Sequence, residues 1–123
     1  MDIIFDTIKI EKQCTNLSDA QKVFGGDKSL AISLLSRINT IRQAETLHDI
    51  IALKPLRFHN LHNKKGRDLE GYFAIDVKNI KIKWRIILQL LDINKEEFNP
   101  CHIDKIINDV RYIKIKEVSP HYE

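Results

Sequence analysis

Histidines and cations crowd one stretch of this chain, in a combination suited to phosphate chemistry. From position 56 to position 91 it reads LRFHNLHNKKGRDLEGYFAIDVKNIKIKWRIILQLL. Arg57, His59, His62, Lys64, Lys65 and Arg67 form a first cluster, and Lys81, Lys83 and Arg85 a second. An arginine fork meets two phosphate oxygens at once and stays charged. Histidine exchanges protons near neutrality, because its ordinary pKa is about 6.5. A surface offering both fits a polyanion, and RNA is the first candidate. The charge distribution points the same way. Between Lys54 and Arg85 there are nine Lys/Arg against three Asp/Glu; the rest of the chain holds eleven against fourteen. The net charge of +3 thus hides a basic segment in an acidic remainder. Local positive potential steers polyanions better than net charge does. The competing reading is a solvated face that keeps the protein soluble.

The elements that must position these groups can be read from periodicity. Ile80, Ile82, Trp84, Ile86, Leu88 and Leu90 alternate with Lys81, Lys83, Arg85 and Gln89. That is the pattern of a strand with one buried and one exposed face, the cations on the exposed one. Tyr72 to Val77 is the strand before it, with Phe73, Ile75 and Val77 facing the core and a hairpin near Lys78-Asn79. A first strand is expected within Asp2 to Ile10. Asn16 or Ser18 can cap a following helix, which Gly25-Gly26 ends. Asp27 caps a longer helix whose apolar face is Leu30, Ala31, Leu34, Leu35, Ile38 and Ile41. Thr46 to Leu53 forms a short helical turn closed by Pro55, with His48 a surface or hydrogen-bonded histidine rather than a ligand. Arg57 to Gly71 is a loop without periodicity. Asp92 to Asn108 is a connection broken by Pro100, with one helical turn from Ile103. Val110 to Val118 is the last strand: Ile113 and Ile115 face in, and Tyr112, Lys114 and Lys116 face out. Helices and strands kept apart, without βαβ alternation, argue an α+β fold with an antiparallel sheet.

Size and composition narrow the class. A chain of 123 residues is expected to form one domain spanning 1–123. No apolar run is long enough to cross a bilayer. The first residues lack the cationic start and apolar core of a signal peptide, so a cytoplasmic protein is expected. Cys14 and Cys101 are too few for a disulfide scaffold, and each reads as a free thiol. Cys101-His102 lacks a second pair at ligand spacing, so no metal site and no cofactor is expected.

The ordered set of these segments resembles the RelE/ParE superfamily of bacterial toxins, closest to its HigB-like host-killing branch. Arg57-Phe58-His59-Asn60-Leu61, Lys65-Gly66, Gly71-Tyr72, Trp84-Arg85 and the closing His121-Tyr122-Glu123 match that branch's pattern over nearly the whole chain. Three residues, His62-Asn63-Lys64, are additional to the pattern, so Lys64 and Lys65 both remain candidates for the family's lysine. The close reads His-Tyr-Glu where known members end in Tyr-His, so His121 and Tyr122 both remain open for that position. The resemblance implies an N-terminal strand and helical hairpin on a small antiparallel sheet, RelE-like and microbial RNase-like. It implies a toxin of a type II toxin–antitoxin system that cuts mRNA on the translating ribosome without a metal: an mRNA interferase that inhibits translation. Its partners would be the ribosome, mRNA and a helix-turn-helix, HigA-like antitoxin, with operator DNA reached only through that antitoxin and no membrane involved.

Within that resemblance, roles follow from what metal-free cleavage needs. A base takes the 2′-hydroxyl proton, cations stabilise the phosphate, and an acid protonates the leaving 5′-oxygen. Arg85 is assigned to the phosphate, and His59 and His121 to acid–base work. Tyr122 assists or stacks on a base, and Lys65 is a further candidate base, since crowded cations depress a lysine pKa. Arg57, Lys64 and Arg67 would hold the RNA backbone, and Lys81 and Lys83 ribosomal RNA. Blander roles stand beside these. His59 would only bond its loop, Tyr122 would anchor the last residues to the core, and Arg85 would pair with Asp76 across the sheet. Two rival functions use the same residues: a ParE-like inhibitor of DNA gyrase, and a non-catalytic RNA- or protein-binding module.

Overall fold

Each of the four N-terminal helices begins on a side chain that accepts from a backbone N–H left free by the first turn. In the computed structural model, which describes residues 1–62 and 68–123, Thr7 caps α1 (Ile8–Thr15) and Asn16 caps α2 (Leu17–Val23). Asp27 caps α3 (Lys28–Gln43), its Oδ1 accepting from Leu30 N at 3.0 Å. Thr46 and Asp49 cap α4 (Leu47–Ala52) reciprocally. Gly25 and Gly26, at φ +63° and +93°, turn the chain between α2 and α3 in the left-handed region open to glycine. Helix α1 was not expected. The first strand, β1, stops at Asp2–Phe5, and Thr7 turns Ile8 and Ile10 into a helix. Their apolar character had read as strand, yet Ile8 is 73% exposed.

Among the described residues the sheet has five strands, in the order β1-β5-β4-β3-β2. They are β2 (His59–Asn60), β3 (Tyr72–Asp76), β4 (Arg85–Leu91) and β5 (Tyr112–Ser119), with a short helix α5 (Ile103–Ile106) between the last two. The fold is α+β, as expected. The sheet is antiparallel except at its edge, where β1 runs parallel to β5, so it is mixed. One face packs on the helices through Ala31, Leu34, Ile38 and Ile41 of α3 and Phe73, Ile75, Ile86, Leu88 and Leu90 of the strands. The other face carries a smaller cluster of Leu61, Leu69, Ala74 and Ile87, with Tyr72 and Tyr122 against it.

That second cover changes the reading of β4. Every residue of the strand is buried. Residues 80–84 are not strand; they form a turn, with Ile80 62% exposed. The expected row of exposed cations along one strand is therefore not there. Lys81 and Lys83 are exposed on the turn, while Arg85 and Gln89 are 4% and 5% exposed inside the sheet. Trp84 is partly buried, as its apolar row suggested, and meets Phe24 edge-on at 4.8 Å. Among the described residues, no helix is long and apolar enough to cross a membrane.

Candidate functional site

The pairing of β3 with β4 sets Asp76 opposite Arg85. Asp76 is 1% exposed, and a carboxylate so far from water needs cationic partners. It has two. Arg85 Nε lies 3.2 Å from Oδ1. Arg57 donates from Nε to Oδ2 at 2.8 Å and from Nη2 to Oδ1 at 3.0 Å, a two-point fork. A third arginine, Arg37 on α3, donates to the backbone carbonyl of Asp76 at 3.2 Å and to that of Lys78 at 3.0 Å. The cross-strand bridge between Arg85 and Asp76 is thus present.

Arg57 reaches this position through an uncommon backbone. The single turn at Lys54–Leu56, with Pro55 inside it, ends on Arg57 at φ +49°. A non-glycine residue adopts that conformation only where its surroundings hold it there, and here the Asp76 fork does so. Asp76 in turn raises the pKa of the Arg57 guanidinium, first through its hydrogen bonds and then through its charge, with Glu123 adding to both.

Glu123 closes the constellation. Arg85 Nε donates to its Oε2 at 3.0 Å, Arg57 Nη2 lies 3.3 Å from the same oxygen, and His59 Nε2 pairs with Oε1. Burial pushes the carboxyl upward, but hydrogen bonds from His59 and Arg85 outweigh it and hold Glu123 below its ordinary value of 4.5. The other ring nitrogen of His59, Nδ1, lies 2.6 Å from the carbonyl oxygen of Arg57. A carbonyl only accepts, so Nδ1 carries a hydrogen, and Nε2, the nitrogen paired with Glu123, is the one that can exchange a proton when that carboxylate withdraws.

These groups open onto a cleft of about 480 Å³ lined by Arg57, His59, Asn60, Leu61, His62, Tyr122 and Glu123. Tyr122 lies against the smaller apolar cluster and donates its phenol hydrogen to Glu117. The structure therefore brings together Arg57, His59, Tyr122 and, behind them, Arg85. His121 is exposed and does not line the cleft; its backbone N–H donates to Ser119 Oγ at 3.1 Å. Lys64, Lys65 and Arg67 lie outside the described residues. Lys81 and Lys83 sit on the 80–84 turn and are absent from the cleft lining.

Arg85 is also differently employed from the phosphate-facing residue expected of it. Its Nη1 donates to the carbonyls of Ile82 and Trp84, the latter at 3.0 Å, and its Nη2 to that of Ile80 at 3.1 Å. Buried and engaged on every side, it holds two carboxylates and a turn. Two members of the site were missed as functional residues. Asp76 had a signal, being the one acid in the apolar run YFAIDV. Glu123 had none beyond its place in the closing pattern.

Comparison with family models, with characterised proteins and with solved structures finds no match in any of the three.

Proposed function

We propose that this chain is a metal-independent endoribonuclease of the RelE/ParE kind, a HigB-like toxin that cuts translated mRNA and blocks protein synthesis. One observation carries the reading: a fixed guanidinium, an imidazole oriented through Nδ1 and a phenol share one cleft of about 480 Å³. Arg57, with its side chain 33% exposed, is the cation that reaches a scissile phosphate. Among the described residues its Nη1 makes no other hydrogen bond, which leaves that edge for a phosphate oxygen. His59 transfers a proton at Nε2. Tyr122, or Lys65, which lies outside the described residues, supplies the second proton transfer, and Arg85 acts from behind by positioning. The 2′-oxygen, losing its proton to the base, attacks phosphorus. The 5′-oxygen leaves with a proton from the acid, and a 2′,3′-cyclic phosphate remains. A cytoplasmic site of action, the ribosome as platform and a HigA-like antitoxin as inhibitor belong to the same proposal.

The test is expression without an antitoxin, with RNA 5′ ends mapped across the transcriptome. Growth arrest with new 5′ ends inside translated frames is the expected result. His59→Ala and Arg57→Ala should each slow cleavage by about a hundred- to ten-thousand-fold, the usual worth of a proton-transfer or charge-stabilising group. Arrest with intact mRNA and inhibited DNA supercoiling would instead make the chain a gyrase inhibitor.

A further inference from the structure

We infer that Arg57, Arg85 and His59 form a phosphate site, and that Glu123 is its built-in, displaceable occupant. The identity of the ligand as an RNA backbone phosphate rests on the nuclease reading; the site itself does not.

Three donors from separate parts of the chain converge on one carboxylate: Arg85 Nε at 3.0 Å, Arg57 Nη2 at 3.3 Å and His59 Nε2. One anionic oxygen shared by two guanidiniums and a second on an imidazole can equally be two oxygens of a phosphate. The donors are fixed independently of Glu123. Arg85 is locked in the sheet by Asp76 and by the carbonyls of the 80–84 turn, and Arg57 is forked onto Asp76. His59 is held through Nδ1. When Glu123 leaves, the cradle stays.

Charge balance gives the vacated cradle its preference. Two guanidiniums face two carboxylates, Asp76 and Glu123. Withdrawing Glu123 leaves one positive charge uncompensated, and a second when His59 is protonated, in a partly buried place where an unpaired charge is costly. A phosphodiester supplies one negative charge and can replace the carboxylate. Asp76 cannot be the group that yields, since it is 1% exposed and held by the two-point fork of Arg57 and by Arg85 Nε. Glu123 can: its side chain is 33% exposed, and every tie it makes among the described residues runs through its carboxylate. It also lines the cleft through which a phosphate would arrive.

An occupied site binds its ligand in proportion to the fraction of molecules in which it is vacant. If the occupied form dominates by about ten to one, emptying it tightens phosphate binding about tenfold. The experiment titrates inorganic phosphate and a short single-stranded RNA into the full chain at low ionic strength, following binding calorimetrically and the thermal midpoint in parallel. The variants are Glu123→Gln, Glu123→Ala and Glu117→Gln. The last removes the same charge beside Tyr122 without vacating the cradle. Both Glu123 variants should bind phosphate and RNA about tenfold tighter than wild type or better, and gain more thermal stability from phosphate. Glu117→Gln should match wild type, and adding Arg57→Ala to Glu123→Gln should erase the gain. Glu123 variants that bind no tighter, or a Glu117→Gln gain of the same size, overturn the proposal. Tightening for phosphate but not for RNA overturns the RNA backbone as ligand. Tightening for both, with no RNA cut by wild type, leaves the site standing and removes the nuclease.

Discussion

Asp76 is the residue on which the arginines depend. Arg57 forks onto its carboxylate, Arg85 pairs with it through Nε and Arg37 donates to its backbone carbonyl, which ties α3, the Lys54–Leu56 turn and β4 to the end of β3. Removing one partner of a buried ion pair leaves the other charge desolvated, at a cost of about 3–5 kcal/mol. Arg57 can recover water after such a loss, because its side chain is 33% exposed; Arg85, at 5%, cannot. Asp76→Ala should therefore lower unfolding stability in urea by about that range. Adding Arg85→Ala should recover part of it, a coupling that a double-mutant cycle measures. Cys14 is a second residue whose burial has a direct readout. It is 1% exposed, and desolvation pushes its thiol up to about 12, against a smaller opposing pull from Arg42. Thiolate is the reacting form. At about pH 8 a thiol reagent should thus modify Cys101, which is only partly buried, well before Cys14, with Cys14 reacting only as the chain unfolds. Equal rates in the native protein would contradict the packing of α1.

At the scale of elements, the starts of α2, α3 and α4 could be read and that of α1 could not, while β4 was expected but with its start and its second face misread. Asn16 and Asp27 could be read as caps because a short side-chain oxygen before an apolar-periodic run has one local use. The alternation along β4 misled because it reports two faces of different polarity only when one of them meets water. Here the second face is covered by Leu61, Leu69 and Tyr122, which approach from elsewhere in the chain. No window around β4 contains that information. The same cover explains why a strand of this sheet can carry Arg85 inside it. Its guanidinium stands in for missing backbone donors in the 80–84 turn, accepted by the carbonyls of Ile80, Ile82 and Trp84, while Asn79 Oδ1 accepts from Lys81 N and Ile82 N. Arg85→Lys keeps the charge and loses the fork. Amide exchange at residues 80–82 should then quicken while the protection of Ile86 to Leu90 persists, and phosphate binding at the proposed cradle should weaken, because Arg85 Nε is one of its donors. Unchanged exchange in the turn would mean that the arginine is not what orders it.

Across the whole molecule, the site is assembled from groups too far apart in sequence for spacing to reveal. Glu123 is 64 residues from His59 and 38 from Arg85. The basic segment supplies part of the cleft lining, and His59, Arg57 and Tyr122 share that cleft. What the residue types could not disclose was that the cations are already answered by acids. That neutralisation makes stability depend on pH in a definite direction. Glu123 is held below 4.5 in the fold: burial raises it, and the hydrogen bonds from His59 and Arg85 lower it further. Asp6 is held below 3.8, where burial is likewise outweighed by Lys116 and Lys114. A carboxyl depressed by folding contributes stability that is fully present above its unfolded value and is lost as pH falls toward its folded one. The urea midpoint should therefore begin to fall below about pH 4.5 and fall further through about 3.8. Glu123→Gln removes a group that must take up a proton on unfolding, so its curve should be flatter in the upper part of that window, whereas Asp6→Asn should flatten the lower part. Both groups are partly exposed, so salt should shrink the difference. A Glu123→Gln curve parallel to wild type down to about pH 3 would mean that the carboxylate is not held between His59 and the arginines in solution, and the phosphate cradle would lose its occupant along with its argument.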